Sequence, residues 1–335
     1  MPTKTLPMLA GLCASAVLAQ QLERVVHLTP VETEQQLQEI ATNLRGITEI
    51  PQVSVDSAQK SLTLHGTAAQ IAAAEWLLGQ WNSSGPSRQD QENAAARQYR
   101  LSSEDIVRVF RLAHAPTPRA LQEVATIVRS IADIRRLFTY NAPSVMTVRG
   151  DAARIALAEW LVNQLDQPVD RANRSAASGE YHAGGAADDV VRVFYPAHTG
   201  TPQGLEEIAT DVRAIGDIGR LFTRSDPAAL IVRGTSAQLA LAEWLLGQLD
   251  QPADQAGRTS APHEYRPSGT ADDVVRVFFL PFAESPQRLQ QIAAEVRSTT
   301  QVRRIFTYNA PRAMTLRGTA AQIAMAERLV SERDR

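Results

Sequence analysis

The stretch VVRVFYPAHTGTPQGLEEIATDVRAIGDIGRLFTRSDPAALIVRGTSAQLALAEWLLGQLDQP, residues 190–252, decides how the rest of the chain is read. Close counterparts lie 84 residues before it and 84 after it, aligned without gaps, and a more divergent copy stands first. Gly66, Gly150, Gly234 and Gly318 mark the common frame. So do Leu37, Leu121, Leu205 and Leu289, and likewise Glu75, Glu159, Glu243 and Glu327. Self-similarity at a fixed period is the signature of an array of equivalent units. Length alone, 335 residues, suggests two or three ordinary domains. The period replaces that estimate with four small units.

Each copy opens on a β-rich run: Val25-Val26, Ile106–Leu112, Val190–Tyr195 and Val274–Leu280. Val107 and Val109 alternate with Arg108 and Phe110, the period-two pattern of a half-buried strand. Thr117-Pro118, Thr201-Pro202 and Ser285-Pro286 then supply a hydroxyl N-cap and a proline at the first helical position. Leu121, Val124, Ala125, Val128 and Ile131 form one apolar helical stripe, which Leu205, Ile208, Ala209, Val212 and Ile215 repeat. Two short strands follow, such as Arg136–Tyr140 and Val145–Arg149, joined through the turn residues Asn141-Ala142-Pro143. The recurring glycine ends the second strand. Thr67, Thr235 and Thr319 cap the last helix, with Gln70, Gln238 and Gln322 placed to complete a capping box.

The expected fold class is therefore α+β, with four tandem βαββα modules. Each is a small three-stranded sheet with two helices on one face, leaving its other face and its edges free. The boundaries read as a leader at 1–19, modules at 20–82, 105–166, 188–250 and 272–335, and linkers at 83–104, 167–187 and 251–271. The linkers are rich in Ser, Gly, Ala, Gln, Asn, Asp and Pro. Tyr99, Tyr181 and Tyr265 stand late in each; they either dock on the next module or punctuate an exposed segment. A unit of about 60 residues buries only about 60% of its unfolded surface, so each is marginal alone.

Composition narrows the chemistry. The hydrophobic fraction of 44% supports a packed core, and the formal net charge of −2 gives no basic field for nucleic acid. Aromatic residues at 5% argue against stacking platforms for single strands. Cys13 is the sole cysteine, which excludes a disulfide framework, a thiolate metal site and a redox pair. Residues 1–19, MPTKTLPMLAGLCASAVLA, place a lysine before an apolar run ending in Val17-Leu18-Ala19, the form of a secretory signal peptide. The apolar run is shorter than the roughly 20 residues needed to span a bilayer. The mature chain is thus expected in the periplasm or outside the cell, with no stable membrane insertion after cleavage.

The segments LIVRGTSAQLALAEWLLGQLDQP (230–252) and VSVDSAQKSLTLHGTAAQIAAAEWL (53–77) resemble the N-terminal modules of bacterial secretins. Secretins are the outer-membrane ring proteins of type II and III secretion and of type IV pili. In them a strand ending in glycine precedes a helix that finishes in Leu-Asp, as Leu165-Asp166 and Leu249-Asp250 do here. The resemblance covers four modules. It implies a ring-packing, protein-binding role, and it does not imply a channel, because the long C-terminal pore domain has no counterpart before Arg335.

No catalytic constellation assembles. His27, His65, His114, His182, His198 and His263 show neither helical pairing nor carboxylate clustering, so no metal or cofactor is expected. Glu75, Glu159, Glu243 and Glu327 recur, but glycoside hydrolysis needs a second carboxylate at a set separation. They read instead as surface glutamates paired with an arginine such as Arg149, Arg233 or Arg317. G-x-S-x-G and the P-loop pattern are both absent. The βαββα order is shared with KH-type RNA modules, yet no G-x-x-G loop lies between helices. Arg108, Arg192 and Arg276 read as a solvated face paired with acids.

The last helix is the most informative element. With Ile155 at the origin, Leu157, Trp160 and Leu161 widen its apolar arc beyond the stripe that one sheet requires. Trp76, Trp160 and Trp244 share one position, where the fourth module has Arg328; Arg333 likewise replaces Leu165 and Leu249. Terminal repeats turn polar where a neighbour is missing. The tryptophans are therefore assigned to packing against the following linker or module. The reading is an exported, non-enzymatic interaction or scaffold protein whose partner is another copy or an envelope or secretion component. The alternatives are a periplasmic glycan or small-ligand module, which needs a recurrent aromatic-lined cleft, and a KH-like RNA binder.

Overall fold

A computed structural model describes residues 21–28, 31, 33–82, 98–141, 144–168, 179–184, 188–199, 201–252, 263–267, 272–309 and 312–334. The expected leader, the Ala142-Pro143 turn and much of each expected linker lie outside these residues. The chain divides into two units, Met1–Ser83 and Ser84–Arg335.

The first unit runs β1 (Leu22–His27), α1 (Glu34–Thr48), β2 (Gln52–Asp56), β3 (Ser61–Gly66) and α2 (Ala68–Asn82). Its sheet has the order β1-β3-β2, both pairings antiparallel, with Val26 opposite Leu62 and Val53 opposite Leu64. Thr33 opens α1 with a full capping box to Gln36. Leu37, Ile40, Ala41, Leu44 and Ile47 then bury one face of the helix, and Leu62, Leu64 and Leu77 are buried with them.

The second unit repeats the pattern three times. The second repeat of the chain has β4 (Gln98–Arg100), β5 (Ile106–Arg111), α3 (Pro118–Ile131), β6 (Arg136–Tyr140), β7 (Val145–Gly150) and α4 (Ala152–Leu165). The third has β8 (Glu180–His182), β9 (Val190–Phe194), α5 (Pro202–Gly216), β10 (Arg220–Ser225), β11 (Ala228–Gly234) and α6 (Ser236–Leu249). The fourth has β12 (Glu264–Tyr265), β13 (Val274–Phe279), α7 (Pro286–Thr300), β14 (Arg304–Tyr308), β15 (Ala313–Gly318) and α8 (Ala320–Arg333). The architecture is α+β, with four small antiparallel sheets. Thr117, Thr201 and Ser285 cap their helices through the side-chain oxygen, each with proline in the first turn.

Two features depart from expectation. The three sheets of the second unit carry a fourth edge strand, in the orders β4-β5-β7-β6, β8-β9-β11-β10 and β12-β13-β15-β14. That strand comes from the end of each segment read as linker, and it holds Tyr99, Tyr181 and Tyr265. Composition hid it, because two or three residues beside Gly, Ser and Ala show no periodicity. Second, the free sheet face expected of every repeat is not free in the third and fourth. Val191, Val193, Ala229 and Ile231 are buried in one cluster with Leu121, Val124, Ile127 and Ile131 of the preceding repeat. Val275, Val277, Tyr308 and Ala313 are buried likewise with Leu205, Ile208 and Val212. The alternation that suggested one buried face thus serves strands buried on both: Val190 and Phe194 face their own helices, while Val191 and Val193 face the neighbour's α3.

Candidate functional site

The recurring surface of the second unit is the joint between successive repeats, where α3 lies on β10 and β11 and α5 lies on β14 and β15. Its polar frame is set by how the covering helix ends. Asp133 and Asp217 follow α3 and α5 in the left-handed region, at φ 54° and 52°. Aspartate tolerates that conformation better than most residues. Their carboxylates accept from the arginine that opens β10 or β14 of the next sheet: Arg220 Nη1 to Asp133 Oδ2 at 2.6 Å, and Arg304 Nη2 to Asp217 at 2.6–2.7 Å.

A second arginine reaches the helix end itself. Arg317 Nη1 donates to Ile215 O at 2.6 Å, and Arg233 Nη1 donates to Ile131 O. Cations there oppose the negative end of the helix dipole. The same two arginines grip Asp189 and Asp273 in their own repeat, Arg233 Nε to Asp189 Oδ1 at 2.8 Å and Arg317 Nε to Asp273 Oδ1 at 3.0 Å. The bond from Arg233 holds the Asp189 carboxyl below the ordinary carboxylate range.

The last helix and the edge strand supply the other half of the joint. The Trp160 ring lies 5.5 Å from Tyr181, and that of Trp244 lies 5.4 Å from Tyr265, both tilted. Tyr195 OH donates to Gln164 O at 2.6 Å. His263 Nδ1 lies 2.6 Å from Gln248 Oε1, with its ring edge-on to Phe279. Trp76 sits at the same position on α2, and Arg328 is exposed on α8.

The two joints differ at their centres. The first has Arg224, fully buried, whose Nη1 donates to Leu165 O at the end of α4 and whose Nε donates to Asp226 O at 3.0 Å. The second has Tyr308 there, beside Gly204. Asp211, 1% exposed, replaces the apolar Ile127, and Thr315 Oγ1 donates to it at 3.4 Å. Burial pushes the Asp211 carboxyl up to about 7, with the Glu207 charge acting in the same direction. Glu207 itself accepts from Asn309 N at 3.1 Å and Asn309 Nδ2 at 2.9 Å. A cleft of about 480 Å³ opens beside this group, lined by Glu206, Asp211, Gln290, Arg297 and Phe306 among others. Phe306 is its one aromatic lining residue, so it is not the aromatic-lined cleft a glycan module needs.

The recurring acids take partners other than those expected. Glu75, Glu159 and Glu243 pair with Arg24, Arg108 and Arg192, and Glu327 with Arg276 at 3.0 Å. Arg149, Arg233 and Arg317 bind the strand-leading Asp105, Asp189 and Asp273 instead. The last helix packs over the first strand, so its glutamate meets the strand's central arginine. Asp166 and Asp250, read only as a helix ending, accept the loop amides after the first strand: His114 N to Asp166 Oδ1 at 2.7 Å and His198 N to Asp250 Oδ1 at 2.9 Å. Asp334 does the same for Phe282 N at 3.1 Å.

The strand-end glycines have a steric reason. A Cβ on Gly66, Gly234 or Gly318 would come within 2.7–3.0 Å of the capping-box Gln70, Gln238 or Gln322 Oε1. Those glutamines also donate to the end of the first helix, as Gln238 Nε2 does to Asp217 O at 2.7 Å. In the second repeat Asp151 caps the helix, Arg154 stands at the glutamine position, and a Cβ on Gly150 would make only ordinary contact. Among the described residues, no three His, Cys, Asp or Glu gather as a metal site. His114 and His198 flank the loops held by Asp166 and Asp250. His27 and His182 lie on β1 and β8, and His65 on β3. Cys13 lies outside the described residues. No described helix is long and apolar enough to cross a membrane.

No protein-family model matches the chain. No curated protein matches it either. Among solved structures, Dim2p from Pyrococcus horikoshii OT3 is 11% identical, covers 44% of this chain and 92% of its own, and has a TM-score of 0.25. XcpQN012 is 14% identical over 69% of this chain and 100% of its own, with a TM-score of 0.24. The type II secretion system secretin GspD of E. coli K12 is 13% identical over 70% of this chain, of which it leaves 60% of its own length unmatched. Its TM-score is 0.16. At such scores these likenesses carry no weight for function, and the fold stands on the geometry above.

Proposed function

We propose that the chain is an exported, non-enzymatic interaction or scaffold protein built of secretin-N-like repeats, acting with a component of a secretion or pilus machine. The observation that supports it most is the joint itself. One surface design, a helix set on a neighbour's sheet and framed by arginine–aspartate pairs, is used at both described joints. Each such surface packs one folded repeat of the chain on the next, and the proposal extends that mode to a folded partner. The glycine and Leu-Asp pattern of the repeats, which resembles secretin N-terminal modules, favours an envelope partner. The boundaries at 20–82, 105–166, 188–250 and 272–335, and a packing role for Trp76, Trp160 and Trp244, belong to the same proposal. The recurring arginines are held in ion pairs, which favours protein over RNA.

The test is to express the full chain in a Gram-negative host, fractionate it, and photo-cross-link from surface positions, with light scattering on the purified protein. Recovery of a shortened chain in the periplasm, together with a discrete cross-linked product or a mass above the monomer, is expected. A cytoplasmic, strictly monomeric chain with no cross-linked product would overturn the proposal.

A further inference from the structure

In the third and fourth repeats, the central arginine of the first strand sits between two acids. Arg192 donates to Glu243 on its own last helix at 2.9 Å and to Glu180 on the edge strand at 3.3 Å. Arg276 donates to Glu327 and to Glu264, both at 3.0 Å. In the second repeat Arg108 Nη1 donates to Gln98 Oε1 at 3.3 Å, again from the edge strand. The register is constant, with Gln98, Glu180 and Glu264 opposite Arg108, Arg192 and Arg276.

Among the described residues, the first repeat holds half of this arrangement. Arg24 pairs with Glu75 at 2.6 Å, and among the described residues β1 pairs only with β3. The Arg24 side chain is 61% exposed, against 13% and 27% for Arg192 and Arg276. Leu22 is 43% exposed, against 1% for its equivalents Val190 and Val274. Resting on the interaction reading above, we infer that the edge of β1, unpaired among the described residues, is a strand-addition site. Its occupant is an extended segment of a partner protein that carries Glu or Gln opposite Arg24, as Gln98, Glu180 and Glu264 stand opposite their arginines. Strand addition draws on the unpaired backbone groups of such an edge, and side-chain pairs set its specificity. A second copy is disfavoured as the source, because its own Glu-Tyr segments are already paired in their own sheets.

The backbone shows where to block the edge. Val277 N donates to His263 O at 2.9 Å, so its equivalent Val25 turns its N–H toward the edge side and away from β3. Proline is tolerated at such an edge position, where it removes only the outward donor. The probe is a fluorescent peptide of residues 178–184, SGEYHAG, titrated into the full chain. Saturable binding is expected, weakened roughly tenfold or more by Val25→Pro. Arg24→Glu is expected to weaken it similarly, and a probe carrying Glu180→Arg to restore it. Binding indifferent to both substitutions overturns the assignment, as does self-association of the chain that Val25→Pro abolishes. If the probe fails to bind while the chain still cross-links to an envelope protein, the edge assignment falls and the interaction reading stands. If both fail, both fall.

Discussion

Asp211 shows how one side chain sets the character of a joint. Its carboxyl is buried against Thr315 and near Glu207, at a position where the other joint has Ile127. Its folded value of about 7 lies above the ordinary 3.8, so the folded state binds a proton that the unfolded state has released. The stability from the protonated form is complete below the unfolded value and erodes as pH rises toward about 7. The urea midpoint is therefore expected to fall between about pH 4 and about pH 7. Asp211→Asn should flatten that slope, and Asp211→Ile should raise the midpoint at the alkaline end. The strand-end glycines give a second expectation from their different surroundings. Gly318→Ala, which meets both Val302 and Gln322, should cost about 1–3 kcal/mol by denaturant titration. Gly234→Ala, which meets Gln238 alone, should cost about 1 kcal/mol, and Gly150→Ala less than about 0.5 kcal/mol.

At the scale of elements, period and caps were readable and the joints were not. The Thr-Pro helix starts, the stripe from Leu121 to Ile131 and the Thr-Gln boxes each follow from local chemistry, and local chemistry is written in consecutive residues. The partner of Glu243 is not: Arg192 lies 51 residues away, and only the packing of α6 over β9 chooses it over Arg233. Asp133 and Asp217 were visible as a recurrence, together with Arg220 and Arg304, and that shared period was the signal available for the joint's ion pairs. The edge strands were hidden because a strand of two or three residues has no pattern of its own. The width of the last helix's apolar arc is the reason Trp160 is assigned to packing outside its own repeat, and its ring lies 5.5 Å from Tyr181. If that pair couples the repeats, a double-mutant cycle on Trp160→Ala and Tyr181→Ala should return about 0.5–1.5 kcal/mol of coupling. Arg328→Trp in the fourth repeat should leave stability unchanged within about 0.5 kcal/mol, since no described edge strand faces it.

The third repeat turns a largely apolar sheet, set with the one buried arginine Arg224, to the repeat before it and a mixed helix to the repeat after it. Its sheet offers Val191, Val193, Ala229, Ile231 and the partly buried Phe222 around Arg224. Its helix α5 offers Glu207 and Asp211 among its apolar residues. Removing a repeat therefore has different consequences at its two ends. A chain cut after Pro252 leaves α5 with a face that water can solvate, and it should stay soluble in light scattering. A chain begun at Ser178 strips α3 from the third sheet, and it should aggregate or lose urea stability as followed by Trp244 fluorescence. The reverse result would show that the sheet face does not depend on its cover.

The covering helix always precedes the sheet it covers in the chain: α3 comes before β9, and α5 before β13. A ribosome releases the amino-terminal side first, and domains fold as units in that order. Each apolar sheet of the third and fourth repeats thus emerges beside a helix already folded and ready to receive it. Any process that delivers the chain from its amino terminus, synthesis or export, therefore presents each covering helix before the sheet it covers.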